Sequence, residues 1–327
     1  MKLFVINNTI LSIKPSLARD VHMPMSTFFI TLLLMLPFYL KAQQIADTTY
    51  NPPIHSPAYA PGEGPIIFID EGHNNFHTKN GRYRAFSDLL TRDGYQALSY
   101  RGKFTKAKVA KGKILVISNA LHTSNLGNWY LPNPSAFRNS EIKVIKQWVQ
   151  EGGSLFLIAD HMPMAGAAED LGAAFDFKFT NGFVLDTARR GPAIFKLEDG
   201  TLAKSSITQG RNSKESVKQV ASFTGQAIKL PSDATPILTF SKGYVNLLPD
   251  TAWVFDQTTR IQSAEGWSQG AYKKFGNGKI VVSGEAAMFT AQLAGAQRVK
   301  MGMSNSVAHE NYQLLLNIIH WLDGKLE

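Results

Sequence analysis

The chain of 327 residues contains no cysteine. That absence removes disulfides, thiolate metal sites and cysteine nucleophiles together, and it excludes a lipid anchor on a cysteine near the amino terminus. Ser118, Ser154 and Ser283 stand outside any Gly-x-Ser-x-Gly elbow, so a Ser-His-Asp hydrolase is disfavoured. A glycine-rich phosphate loop and a His-Glu-x-x-His zinc pair are missing as well, which argues against nucleotide use and against a compact zinc motif. No internal repeat is visible.

What is present is ample material for a core, with 44% hydrophobic residues. Before the globular part comes an apolar run over 28–40, too short to span a bilayer comfortably and followed by Lys41-Ala42-Gln43-Gln44. This is the shape of a signal peptide over 1–42 with the cut after Ala42, and an uncleaved anchor is the alternative. Lys14, Arg19 and Asp20 lie well ahead of the run, which suits translation starting at Met23 or Met25. The expectation is a bacterial periplasmic or secreted protein without a stable membrane span after cleavage. The leader carries Lys2, Lys14, Arg19 and Lys41 against Asp20, so its removal lowers the formal net charge from +9 to +6. The densest basic stretch, Arg101 to Lys113, has only Phe104 for stacking and reads as a solvated face, so no nucleic-acid partner is expected.

Residues 43–64, with Pro52-Pro53, Pro57 and Pro61, read as an extended linker or surface strap. Regular alternation follows: strand 65–70, helix 83–92, strands 96–100 and 114–118, helix 140–151 and strand 154–159. Such spacing argues βαβ units, a mainly parallel sheet and helices on both faces. Tyr83, Phe86, Leu89 and Leu90 form one apolar helix stripe, and Ile142, Ile145, Trp148 and Val149 another, with Ser140 as a candidate cap. Residues 176–275 read as a β-rich insertion, with runs such as 235–240 and 252–255. A strand at 279–283 and a helix at 304–323 close a single α/β domain over 65–327.

Three apolar strands run into ionisable clusters. Ile66–Ile69 precedes Asp70-Glu71-Gly72-His73, the run 155–159 precedes Asp160-His161, and Ile280–Val282 precedes Ser283-Gly284-Glu285. In open α/β sheets ligands sit beyond the carboxyl ends of the strands, so the clusters should share one crevice. Side chains alternate along a strand, so Asp70 and Glu71 start towards opposite faces; Glu71 is favoured for the crevice and Asp70 for nearby loop amides, with the opposite assignment as the alternative. Glu71, His161 and Glu285 are the candidate catalytic groups. Asp70, His73, Asn74, Asn119, His122 and Asp160 are candidate ligand contacts. His161 follows a strand and precedes Pro163, where a helix start offers free amides, and its ordinary pKa of about 6.5 suits a proton carrier or ligand. Carboxylates with imidazoles suit a divalent ion, but His73 and His77 are doubtful on one helical face and no metal ligand is assigned. The sequence names no cofactor.

The stretch Glu151-Gly152-Gly153-Ser154-Leu155-Phe156-Leu157-Ile158-Ala159-Asp160-His161 resembles the class I glutamine amidotransferase-like superfamily, in which a helix, a Gly-Gly turn and an apolar strand lead to the nucleophile elbow. The likeness extends over 65–171 and 278–285 and is greatest to exported bacterial members of unknown function. Ile207-Thr208-Gln209-Gly210-Arg211 also resembles a strand of relatives thought to act on carbohydrates, although Ser205-Ser206 replaces their His-Pro. Arg211 of that stretch is a further candidate ligand contact. The resemblance implies a flavodoxin-like sheet, but Asp160-His161 stands where amidotransferases need a thiolate. The expectation is therefore a domain that binds a small polar ligand, such as a carbohydrate or cell-envelope fragment, at the strand ends without amidotransferase activity. The alternative is a metal-assisted or acid–base hydrolase in the same crevice.

Overall fold

A computed structural model describes residues 44–327. The expected signal peptide over 1–42 and its alternative start residues lie outside the described residues. Strands β1 (Ile66–Asp70), β2 (Gln96–Tyr100), β3 (Ile114–Ser118) and β4 (Ser154–Ile158) alternate with helices α1 (Arg84–Arg92), between β1 and β2, and α2 (Asn139–Gln150), between β3 and β4. Helix α3 (Met164–Ala173) follows β4. The β-rich region then contributes β5 (Phe183–Asp186), β6 (Thr235–Thr239), β7 (Tyr244–Leu248), β8 (Arg260–Ser263) and β9 (Ser268–Phe275). Strand β10 (Gly278–Ser283) and helix α4 (Asn311–Asp323) complete the order.

Five strands pair in parallel in the order β2-β1-β3-β4-β10. Beyond β10 the sheet turns antiparallel: β9 pairs with β10, and β6 and the short strands Ile228–Lys229 and Lys178–Phe179 extend it to nine strands. The expectation of a mainly parallel sheet thus applies to one half, and the whole sheet is mixed. The remaining β-rich residues build a separate three-stranded sheet, β8-β7-β5, and a two-stranded ribbon. Residues 252–255, expected as a strand, form a turn instead.

Burial explains the strand pattern. Every residue of β3 and β4 is buried, as continuous apolar runs require when both faces are covered, whereas edge strand β2 buries only Ala97 and Tyr100. Alternate side chains feed two cores. Ile67, Ile69, Val116 and Phe156 pack with Phe86 and Leu90 of α1 and Leu315 and Ile319 of α4. Phe68, Leu115, Leu157 and Val282 pack with Trp148 and Val149 of α2 and Leu171 of α3. Full burial of each such side chain is worth about 1.5–3 kcal/mol, so the strand positions, and with them the rim, are held from both sides. Residues 44–64 are strapped down: Gln44–Ala46 pairs with Ala291–Ala294, and the Ala58 amide donates to Asp93 Oδ1 at 2.8 Å. No helix among the described residues is long and apolar enough to cross a membrane.

Two helix starts differ from expectation for local reasons. At α2 the Arg138 amide is taken by Glu141 Oε2 at 3.2 Å, so the cap lies ahead of Ser140. The last helix begins at Asn311 and not near Ser304, because Asn305 Oδ1 accepts from the Val307 amide at 3.1 Å and diverts the chain into a 3-10 turn, Ser306–Ala308.

The first residue of β10 touches the end of α2 so closely that only glycine fits. A Cβ on Gly278 would lie 2.0 Å from the Val149 carbonyl oxygen and 2.2 Å from that of Gly153. Gly278→Ala is expected to cost about 1–3 kcal/mol, as overpacking does, and to lower the thermal midpoint measured by circular dichroism by several degrees. An unchanged midpoint would show that the helix–strand contact yields freely.

Candidate functional site

The chain turns at the ends of β1, β3, β4 and β10 lie along one rim, and most of their polar side chains are occupied by the turns themselves. Asp70 is fully buried; its Oδ1 accepts from the Gly72 amide at 3.0 Å and its Oδ2 from Asn75 Nδ2 at 3.0 Å. His73 Nδ1 lies 2.9 Å from Asp70 Oδ2, and Nε2 lies 3.1 Å from Glu141 Oε1. Glu141 also accepts from the Phe104 amide at 2.9 Å, and the His73 ring stacks on Phe104 with centroids 4.3 Å apart. Burial works against a charged His73, but hydrogen bonds and charge from Asp70 and Glu141 together outweigh it and raise its pKa above 6.5. Burial likewise opposes ionisation of Glu141, yet the bond from His73 and the amides of Phe104 and Arg138 hold its carboxyl below 4.5. His73 is thus a cross-link between strand end and helix start.

Glu71 leaves the strand on the other side. It accepts from the Lys79 amide at 3.0 Å and Ser99 Oγ at 2.9 Å, and pairs with Arg101 at 3.3 Å. The expectation that it faces the crevice is corrected: strand alternation sends it to the β2 edge, away from Asp160 and Glu285. Arg211 is elsewhere too, clamped by Glu215 and set near Asp93 at the amino-terminal end of β2. The stretch 207–211 that resembles a strand opens in a short helix, Ser206–Gln209.

The amide-bearing residues knit neighbouring loops. Asn74, at φ +51°, donates through Nδ2 to the Leu121 carbonyl at 3.1 Å. His122 Nδ1 accepts from the Ser124 amide at 3.2 Å and caps the turn Thr123–Asn125. Asn119, at φ +47°, uses Oδ1 to accept from the Asp160 amide at 2.9 Å, joining the ends of β3 and β4.

Asp160, His161 and Glu285 are brought together. Asp160 Oδ1 accepts from the His161 amide at 2.8 Å, and its Oδ2 lies 3.4 Å from the Ala286 amide. Glu285 caps the turn Ala287–Phe289, accepting from the Ala287 amide at 2.9 Å and the Met288 amide at 2.6 Å. Its carboxyl is fully buried, and burial followed by the charge of Asp160 pushes its pKa well above the ordinary 4.5, against the pull of those two amides. The charge of Asp160 thus opposes ionisation of Glu285 at one end of the rim.

His161 differs from the others. Its Nδ1 donates to the Met162 carbonyl at 2.7 Å, while Asp160 Oδ1 at 3.9 Å is too far to hydrogen-bond Nε2. The ring stacks on Phe183 at 4.4 Å and meets Trp253 at 4.7 Å and Trp129 at 6.2 Å, leaving the residue 9% exposed. Among the described residues no group of three or more His, Asp and Glu side chains is gathered as a metal-binding set. Chemically, the rim offers the unbonded Nε2 of His161 against an aromatic wall, and carboxyls already occupied by amides.

Several residues here carry no sequence signal of their own. Phe183 and Trp253 come from the β-rich region, and so does Gln226, which donates to the Ala159 carbonyl at 2.8 Å and accepts from the Thr180 amide at 2.8 Å. Neither periodicity nor spacing relates them to the strand ends. His77 shares no helical face with His73, because 71–78 forms bends and no helix; buried against Tyr83 at 4.8 Å, it has its pKa lowered to about 3 by burial and then by Arg82.

No protein-family model matches the sequence, and comparison with curated proteins likewise gives no match. Among solved structures the chain is similar to the mmIFT52 N-terminal domain, with TM-score 0.54 and 13% identity over 79% of this chain and 97% of that one. It is also similar to a cytoplasmic protein from Salmonella typhimurium, with TM-score 0.45 and 11% identity over 79% of this chain and 98% of that one. A putative ThuA-like protein from Bacteroides uniformis gives TM-score 0.42 and 11% identity over 81% of this chain and 93% of that one. The first likeness is one of fold, and at these identities none assigns a function.

The His73 cross-link carries a definite pH signature. A pKa raised by folding adds stability in full below the unfolded value near 6.5, and this contribution fades as pH rises through the higher folded value. Glu141, lowered by folding, contributes above 4.5 and loses its contribution as pH falls through its folded pKa. The stability difference between the parent and His73→Gln, followed by urea unfolding, is therefore expected to be largest between about pH 5 and 6.5 and to shrink towards alkaline pH. A difference independent of pH would remove the charge from the cross-link.

Proposed function

We propose that the chain is a non-catalytic member of the class I glutamine amidotransferase-like superfamily. In this reading it is an exported protein with a flavodoxin-like arrangement of its parallel strands, and it binds a small polar ligand at the strand-end rim. The parallel order β2-β1-β3-β4-β10 and the Gly-Gly turn leading into β4 support the family. The absence of cysteine, with Asp160-His161 at the turn after β4, supports loss of amidotransferase chemistry.

One observation carries the choice of binding over hydrolysis. Asp70, Glu71, Asp160 and Glu285 each accept from backbone amides, whereas His161 keeps Nε2 unbonded beside Phe183 and Trp253. Carboxylates tied in this way are ill placed to shuttle protons, since each transfer would break a turn. A free imidazole nitrogen flanked by rings suits a hydroxyl or amide group on a ligand with an apolar face.

A thermal-shift screen of monosaccharides, polyols and amino acids tests this reading. A ligand at a hundredfold excess over its Kd is expected to stabilise the parent by about 2.7 kcal/mol, and His161→Gln is expected to lose most of that shift while remaining folded. A ligand that stabilises both proteins equally, or is consumed by the parent, would contradict it.

A further inference from the structure

A cavity lies beside the rim, and the inference from it does not rest on the reading above. Its volume is about 550 Å³, within the range of small-ligand sites, and it opens between the loop at Leu131 and the connection from β7 to β8. That connection is braced against the loop: the Leu131 amide donates to the Asp250 carbonyl at 2.9 Å and the Ala252 amide to the Trp129 carbonyl at 2.8 Å. The cavity is therefore preformed, which lowers the entropic cost of binding.

Its lining selects among ligand classes. Asp250, Asp256 and Arg260 give one cation against two carboxylates, which disfavours phosphate and other anions, and Asn181, Thr251 and Thr258 add neutral donors and acceptors. Asp256 accepts from the Thr258 amide at 2.8 Å, the Thr258 hydroxyl at 2.7 Å and the Thr259 amide at 3.1 Å, all through Oδ1. Its Oδ2 faces no such demand. The planar carboxylates and guanidinium suit vicinal hydroxyl pairs.

Two exposed aromatic residues adjoin the lining residues in the chain. Tyr130 and Trp253 flank the lining residues Leu131 and Val254 and are 51% and 53% exposed. Trp253 also holds φ +68°, an outlier for so bulky a residue and a strain that a packed surface would not need. Its ring is braced edgewise by Phe183 at 4.7 Å. A sugar presents hydroxyls on its rim and C–H groups on its faces, and so matches polar walls next to exposed rings.

We propose that this cavity is a binding site for a neutral saccharide, with Trp253 as its stacking platform and Asp256 as a hydroxyl acceptor. The test uses the purified protein with maltotriose, cellotriose and triacetylchitotriose at millimolar concentration, read by saturation-transfer NMR and tryptophan fluorescence. At least one probe is expected to bind saturably, Trp253→Ala to weaken it about tenfold or more, and Asp256→Asn to weaken it severalfold while keeping the parent circular dichroism spectrum. Absence of saturable binding by all three probes overturns the proposal, as does binding that survives both substitutions. A probe lost with His161→Gln but kept by Asp256→Asn would belong to the strand-end rim and also overturns it. Self-association abolished by Trp253→Ala, without sugar binding, would assign the exposed rings to a protein interface.

Discussion

Parallel strands deliver several chain turns to one rim, and every turn leaves backbone amides that need partners where two cores exclude water. In this chain the strand-end acids meet that need. Asp70 holds Gly72, Asp160 holds His161, and Glu285 holds Ala287 and Met288. Asn119 links β3 to β4, and His73 carries the network on to α2 through Glu141. What looks in sequence like a set of reactive groups is largely the means by which the rim keeps its shape.

Once those groups are assigned to turns, the free chemistry narrows. His161 alone among the strand-end residues couples an unbonded ring nitrogen to an aromatic environment, and that environment comes from β5 and the β7–β8 connection. The β-rich region thus does more than extend the sheet. It walls His161, and its connection, paired with the loop at Trp129, forms the neighbouring cavity. Trp253 relates the two features, touching His161 with its ring and preceding the cavity-lining Val254 in the chain.

The parallel strands were legible because burial on both faces demands continuous apolar runs, and β1, β3, β4 and β10 have them. The rim followed from topology. Orientation at the rim was only half legible: alternation separates Asp70 from Glu71, but the sheet edge, with Ser99 and Arg101 on β2, decides which one is internal. Arg211 was misplaced because Glu215, four residues on, claims its guanidinium. The antiparallel half of the sheet and the contributions of Trp253, Phe183 and Gln226 depend on pairings far apart in the chain. The turn at 252–255 carries the apolar residues of a strand, yet tertiary pairing with Trp129 bends it.

The account rests on the strand-end acids being structural ties. The free energy of unfolding of Asp70→Asn relative to the parent, measured by urea denaturation at neutral pH, tests this most directly. Groups kept for chemistry commonly stabilise a protein when neutralised, because their strain or mutual repulsion is relieved. A tie that accepts from Gly72 and Asn75 and pairs with His73 must instead destabilise when altered. A loss of stability of about 1–3 kcal/mol is the result expected; an unchanged or increased stability would contradict the account.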